Sequence, residues 1–135
     1  MAWSDKYIGL PFKHGGMDIK TGTDCRTLMA IILRDEFNYD AKISDDIPQD
    51  WFEKDPDLML REGIKRGEVI KNIKDLRERD IIFFADPEGV KHMGIMSDPY
   101  GNFLHQLIKF TSRLEKLRGK WAKVFHCGIR IHEIR

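Results

Sequence analysis

Few features of this sequence point outside the cell or toward a charged polymer. Only two of its 135 residues are cysteines, Cys25 and Cys127, near opposite ends of the chain. A disulfide framework needs more, and a structural zinc site shows closely spaced pairs. Two free thiols, no metal and no cofactor are the expectation. No apolar run approaches the ~20 residues of a membrane span. The opening Met1-Ala2-Trp3-Ser4-Asp5-Lys6 lacks an apolar signal core. No membrane partner and no leader-directed export are therefore expected, and synthesis is placed in the cytoplasm. Charge of either sign is nearly balanced, with 23 Lys and Arg against 22 Asp and Glu. Broad electrostatic capture of nucleic acid has no support in that balance. Internal repeats and low-complexity tracts are missing too. What remains is 41% apolar and 33% charged, a globular balance for one domain, 1–135, with an ordinary core.

Residues 1–24 are punctuated by Gly9, Gly15, Gly16, Gly22 and Pro11, which reads as loop with a short helical start around Trp3 to Ile8. The best helix follows. Thr23 or Asp24 caps it, and Cys25, Leu28, Met29 and Ile32 recur at helical spacing, roughly continued by Phe37. Residues 38–56, with Pro48 and Pro56, read as a connection. A second helix is expected from about Asp57 to Arg66, stopped by Gly67. The remainder reads as strands: Val69-Ile70, the run Ile81 to Phe84, Lys91 to Met96, Phe103 to Phe110, and Val124 to Ile131. Asp86-Pro87-Glu88-Gly89 and Asp98 to Asn102 are turns between them. The basic stretch Thr111 to Lys123 reads as helix or loop. A helix followed by an antiparallel meander is an α+β arrangement.

Chemistry concentrates at Cys25. A thiol at the first turn of a helix meets unpaired N–H groups and the positive end of the macrodipole, which favour the thiolate. A neighbouring imidazole can take its proton. Of five histidines, His92 heads a strand and His105 lies in the next one, across a turn. Hairpin neighbours meet side by side, and Gly94 permits close approach. One imidazole would pair with the sulfur while the other orients it, a triad without an acid. His126-Cys127 is not a dyad, because adjacent strand residues point to opposite faces; Cys127 is expected to be buried. His14 is placed in a loop, with a cleft wall as its alternative, and His132 near the C-terminus.

Taken together, Gly9-Leu10-Pro11-Phe12-Lys13-His14-Gly15-Gly16 and Gly22-Thr23-Asp24-Cys25 resemble the nucleophile motif of NlpC-type cysteine peptidases, papain-like enzymes of the bacterial cell wall. Asp80-Ile81-Ile82-Phe83-Phe84 is similar to that family's Gly-Asp-led strand, with Arg79 in the glycine's place. His92-Met93-Gly94-Ile95 matches its His-x-Gly-Ile motif, and Phe103-Leu104-His105 its third, orienting residue. The resemblance runs from about Trp3 to Arg135. It implies a papain-like α+β fold with the nucleophile's helix packed on an antiparallel sheet, and Cys25, His92 and His105 as catalytic residues. It further implies hydrolysis of amide bonds in peptidoglycan stem peptides, at the link between γ-D-glutamate and the diamino acid. Phe12, His14, Asp24 and Arg26 are the expected substrate contacts. The Leu-Pro-Phe form, short chain and basic ending resemble the phage or prophage branch, which implies tail proteins as partners and delivery to the wall by the virion.

The sequence departs from the pattern in two places. Arg26-Thr27 stands where the family has Ser-Gly or Trp-Gly, which adds bulk at the helix start and puts a cation beside the thiol. Phe12 stands where a tyrosine often supplies a hydroxyl near the oxyanion, leaving backbone N–H groups to carry that stabilisation. Two other readings compete with hydrolysis: a tail module that keeps the fold but only binds, and an amidase or acyltransferase on the same scaffold. Trp51, Phe52 and Trp121 read as core or rim packing. Lys65 to Arg79 reads as a solvated face.

Overall fold

The computed structural model describes residues 2–41 and 54–134. Pro48, Trp51 and Phe52 lie outside them. A 3₁₀ turn, Trp3–Tyr7, opens the chain where a short helical start was expected. Trp3 packs edge-on against Phe37 and donates its indole N–H to Glu78 at 2.8 Å.

Helix α1 runs Cys25–Phe37, capped by Asp24. The cap is reciprocal: Asp24 Oδ1 accepts from Thr27 N–H at 2.8 Å, and Thr27 Oγ1 accepts from Asp24 N–H at 2.9 Å. This is a capping box. It explains why threonine stands at 27, since a glycine there would lose half of it. At the other end Asn38 takes φ 53°, the left-handed conformation that terminates helices. Every residue from Cys25 to Leu33 is buried, so α1 is enclosed on all sides rather than on the single face its spacing suggested.

Helix α2 is Leu58–Ile64, shorter than Asp57 to Arg66 because Lys65 and Arg66 form a turn into the sheet. Six strands follow: β1 Gly67–Ile70, β2 Ile81–Asp86, β3 Gly89–Met96, β4 Asn102–His105, β5 Arg113–Lys116 and β6 Phe125–Ile131. Their order across the sheet is β1-β6-β2-β3-β4-β5, every pair antiparallel. Two boundaries differ from the sequence expectation. β4 stops at His105 instead of running to Phe110, because Gln106 turns its side chain inward to hold the loop. The basic stretch after Thr111 contributes an edge strand, β5, and then a short helix α3, Lys120–Val124.

Side-chain alternation splits the core in two. Ile81, Phe83, Met93, Ile95, Leu104 and Ile129 pack with α1. Ile82, Phe84, Met96 and Phe103 pack on the opposite face with Leu117 and Trp121. The β2 run is apolar throughout because both faces are covered, as expected for a central strand. Asp80, 2% exposed, closes the sheet's end by accepting from Arg130 Nε and Nη2 at 3.0 and 2.8 Å.

Candidate active site

The loop leading into α1 is tied to the end of β4. Phe12 and Thr23 form a parallel bridge, and Lys13 N–H donates to Thr23 carbonyl at 2.9 Å. Thr23 Oγ1 donates to Gln106 Oε1 at 2.5 Å, while Gln106 Nε2 donates to the carbonyls of Leu10 and Phe110 at 3.1 and 3.0 Å. Gln106, only 1% exposed, thus clamps the loop before Cys25 to the end of β4. Sequence reasoning did not single it out. Its one signal was a polar residue directly after the motif histidine.

β4 pairs with β3 only from Gly94, opposite His105. One residue before that pairing begins, the Met93 N–H meets the Cys25 sulfur, as does the N–H of Arg26. The start of α1 therefore sits against β3 at the His92–Met93 step. Gly94 is required here: a Cβ on it would stand 2.9 Å from Leu104 carbonyl and 3.2 Å from His105 Cβ. The close approach anticipated for this glycine is its tight packing against β4.

His92 and His105 lie on the same face and touch. His92 Nε2 and His105 Nδ1 are 2.7 Å apart. His105 Nε2 lies 2.5 Å from Glu115 Oε2 on β5. Glu115 pairs with Phe103, and Arg113 pairs with His105, so Glu115 is the diagonal neighbour of His105. The triad was expected to lack an acid, yet the histidine pair has one. It was hidden because β5 was not recognised as a strand. Its signal was that Glu115 is the sole carboxylate in the basic stretch from Thr111 to Lys123. Aromatic rings wall the pair. His92 stacks on Phe84 at 5.7 Å, and Trp121 meets His105 edge-on at 4.8 Å.

Burial dominates the electrostatics. The Cys25 thiol is pushed up to about 12, chiefly by desolvation and then by the Asp24 charge; the Met93 and Arg26 N–H groups and the Arg26 cation pull the other way and lose. This corrects the expectation that the helix start and Arg26 would hold a thiolate. His92 is pushed down to about 3 by desolvation and then by His105. His105 is lowered by desolvation, against the opposing pull of Glu115. At rest the site holds a neutral thiol and neutral imidazoles.

The four expected substrate contacts are placed as follows. Phe12 is half-buried at the bridge. His14 keeps a quarter of its side chain exposed, with Nδ1 3.7 Å from Asp24 Oδ2. Asp24 has both oxygens engaged by the chain itself, Oδ1 by Thr27 and Oδ2 by Gly15 N–H at 2.8 Å. Arg26 is 3% exposed and lines an apolar cavity of about 210 Å³ between α1, α2 and the sheet. Cys127 is buried and His126 exposed, on opposite faces as expected. Among the described residues no group of His, Cys, Asp and Glu is arranged to hold a metal ion.

No family model matches the sequence, and no curated protein matches it. Solved structures do match its fold. An NlpC/p60 domain of the peptidoglycan hydrolase SagA superposes with a TM-score of 0.63 at 20% identity, covering 93% of this chain and 91% of that one. An NlpC/p60 family protein from Bacillus cereus ATCC 10987 gives 0.66, also at 20% identity and 93% coverage. This chain spans 36% of that longer protein. The fold is therefore the papain-like α+β fold of NlpC/p60 domains.

Proposed function

We propose that the protein is a cysteine endopeptidase that hydrolyses amide bonds in the peptide stems of peptidoglycan. The observation that carries this reading is the contact of the Cys25 sulfur with the residue after His92, beside a 2.7 Å His92–His105 pair. The shared fold of a peptidoglycan hydrolase domain supports the substrate class. Cys25 attacks the amide carbonyl as His92 takes the thiol proton, so a neutral pair at rest becomes an ion pair only during reaction. N–H groups of the first helical turn stabilise the oxyanion. His92 then gives its proton to the leaving amine, and water releases the acyl group from sulfur. The resemblance of the motifs extends the reading to the γ-D-glutamyl–diamino acid bond, and to a phage or prophage tail as carrier and partner.

Purified peptidoglycan tests the reaction class. Amide hydrolysis liberates amines and leaves reducing ends unchanged. The wild type is expected to release amines and Cys25→Ala none; equal release by both variants overturns the assignment. The burial of Cys25, 9% exposed, favours a second reading, a wall-binding module without turnover. Binding to peptidoglycan with no amine release by the wild type identifies that case.

A further inference from the structure

The histidine pair ends on a carboxylate, and that fixes more than geometry. A carboxylate only accepts, so the 2.5 Å contact requires the proton on His105 Nε2. Burial holds His105 neutral, so its Nδ1 is bare and can only accept. The 2.7 Å contact then requires His92 to donate from Nε2. Neutral His92 is left with a bare Nδ1. The chain of donors runs one way, from His92 through His105 to Glu115.

We propose that Glu115 is a positioning residue that acts through His105 to hold His92 as the Nε2–H tautomer, with Nδ1 bare as the base for Cys25. The proposal rests on the reading of Cys25 as nucleophile. The thiol proton goes to His92 Nδ1 as the S–C bond forms. It passes to the amine nitrogen as the C–N bond breaks. The two protons between His92, His105 and Glu115 stay where they are. A quarter of the Glu115 side chain is exposed and it lies on an edge strand, so substitution there leaves the central strands of the sheet untouched. Trp121 and Phe103 close over His105 at 4.8 and 4.7 Å, which shields the relay from competing water.

Ring ¹⁵N spectroscopy on histidine-labelled protein reads the tautomers without a substrate. The wild type is expected to show protonated Nε2 and bare Nδ1 on both His92 and His105. Glu115→Leu removes the acceptor, and both rings are expected to become tautomer mixtures. Its amide hydrolysis should fall on the order of 10- to 100-fold in kcat with KM nearly unchanged, less than the about 10²–10⁴ that losing the general base outright would cost. Glu115→Gln keeps an acceptor oxygen without the charge and should lie between the two. The proposal is overturned if His92 carries its proton on Nδ1 in the wild type. It is equally overturned if the leucine variant keeps wild-type tautomers, whatever its activity. An active Cys25→Ala sinks the hydrolase reading alone and leaves the tautomer result standing.

Discussion

Acid should unfold this protein through His92. The perturbation is a drop in pH from 7 to 5. In the unfolded chain an imidazole titrates near its ordinary 6.5, whereas in the fold His92 stays neutral down to about 3. Between those values the unfolded state binds a proton that the native state refuses. Stability is therefore complete above 6.5 and is lost as pH falls toward 3. Each pH unit inside the window is worth about 1.4 kcal/mol, so His92 alone removes about 2 kcal/mol by pH 5. That figure is an upper bound, because His92 as a residue is only partly buried. His105 is lowered as well and adds in the same direction. The assay is urea unfolding followed by tryptophan fluorescence at pH 7 and pH 5, on wild type and His92→Phe. Phenylalanine keeps the ring against Phe84 and Trp121 but cannot titrate. It lowers stability at both pH values by leaving His105 Nδ1 unpaired, so the quantity compared is the change with pH. The wild type should lose more than the variant over this interval, by up to about 2 kcal/mol. Equal losses would refute the claim that His92 is held neutral by burial.

Three further outcomes follow from the geometry around the site. Asp24→Ala removes the acceptor for Thr27 and Gly15 N–H and should cost about 1 kcal/mol, up to about 2, in denaturant unfolding. Arg79 takes φ 80° where the resembling family has glycine, and its guanidinium lies over the Phe37 ring at 4.7 Å. Arg79→Gly relieves about 1–2 kcal/mol of left-handed strain and forfeits a cation–π contact of about 0.5–1 kcal/mol, so melting should shift upward or hold, and a clear fall contradicts the strain argument. Alkylation of Cys25 should be slow at pH 7 and should climb with pH without a plateau near neutrality, since its thiol sits near 12; a plateau below pH 8, read by mass spectrometry of the labelled peptide, would mean a resting thiolate.

The parts of the fold that could be read from the sequence are those where local pattern and tertiary demand agree. Asp24 was one of two candidate caps, and the spacing from Cys25 to Ile32 marked α1. The Ile81 to Phe84 run marked the central strand, because an uninterrupted apolar tetrad needs cover on both faces. The place of Cys25 at a helix start and the meeting of His92 with His105 were legible because each residue sits in a short recognisable motif. Glu115 and Gln106 were not. Their roles depend on which strands lie side by side, and β5 carries Arg113, Glu115 and Lys116 on an edge where charge is tolerated and alternation is weak. The ionisation of Cys25 was misjudged for a related reason. A helix start is visible in sequence, but the enclosure that desolvates the sulfur comes from β3 and the surrounding core.

The central claim is that a sulfur at the start of α1 cuts peptide stems of the wall. Mass spectrometry of peptidoglycan fragments incubated with wild type and with Cys25→Ala addresses it most directly. The wild type should convert stem peptides into two fragments whose masses sum to the parent plus one water, split after γ-D-glutamate, and Cys25→Ala should leave the parent intact. An unchanged parent with the wild type, or the same split with Cys25→Ala, contradicts the claim.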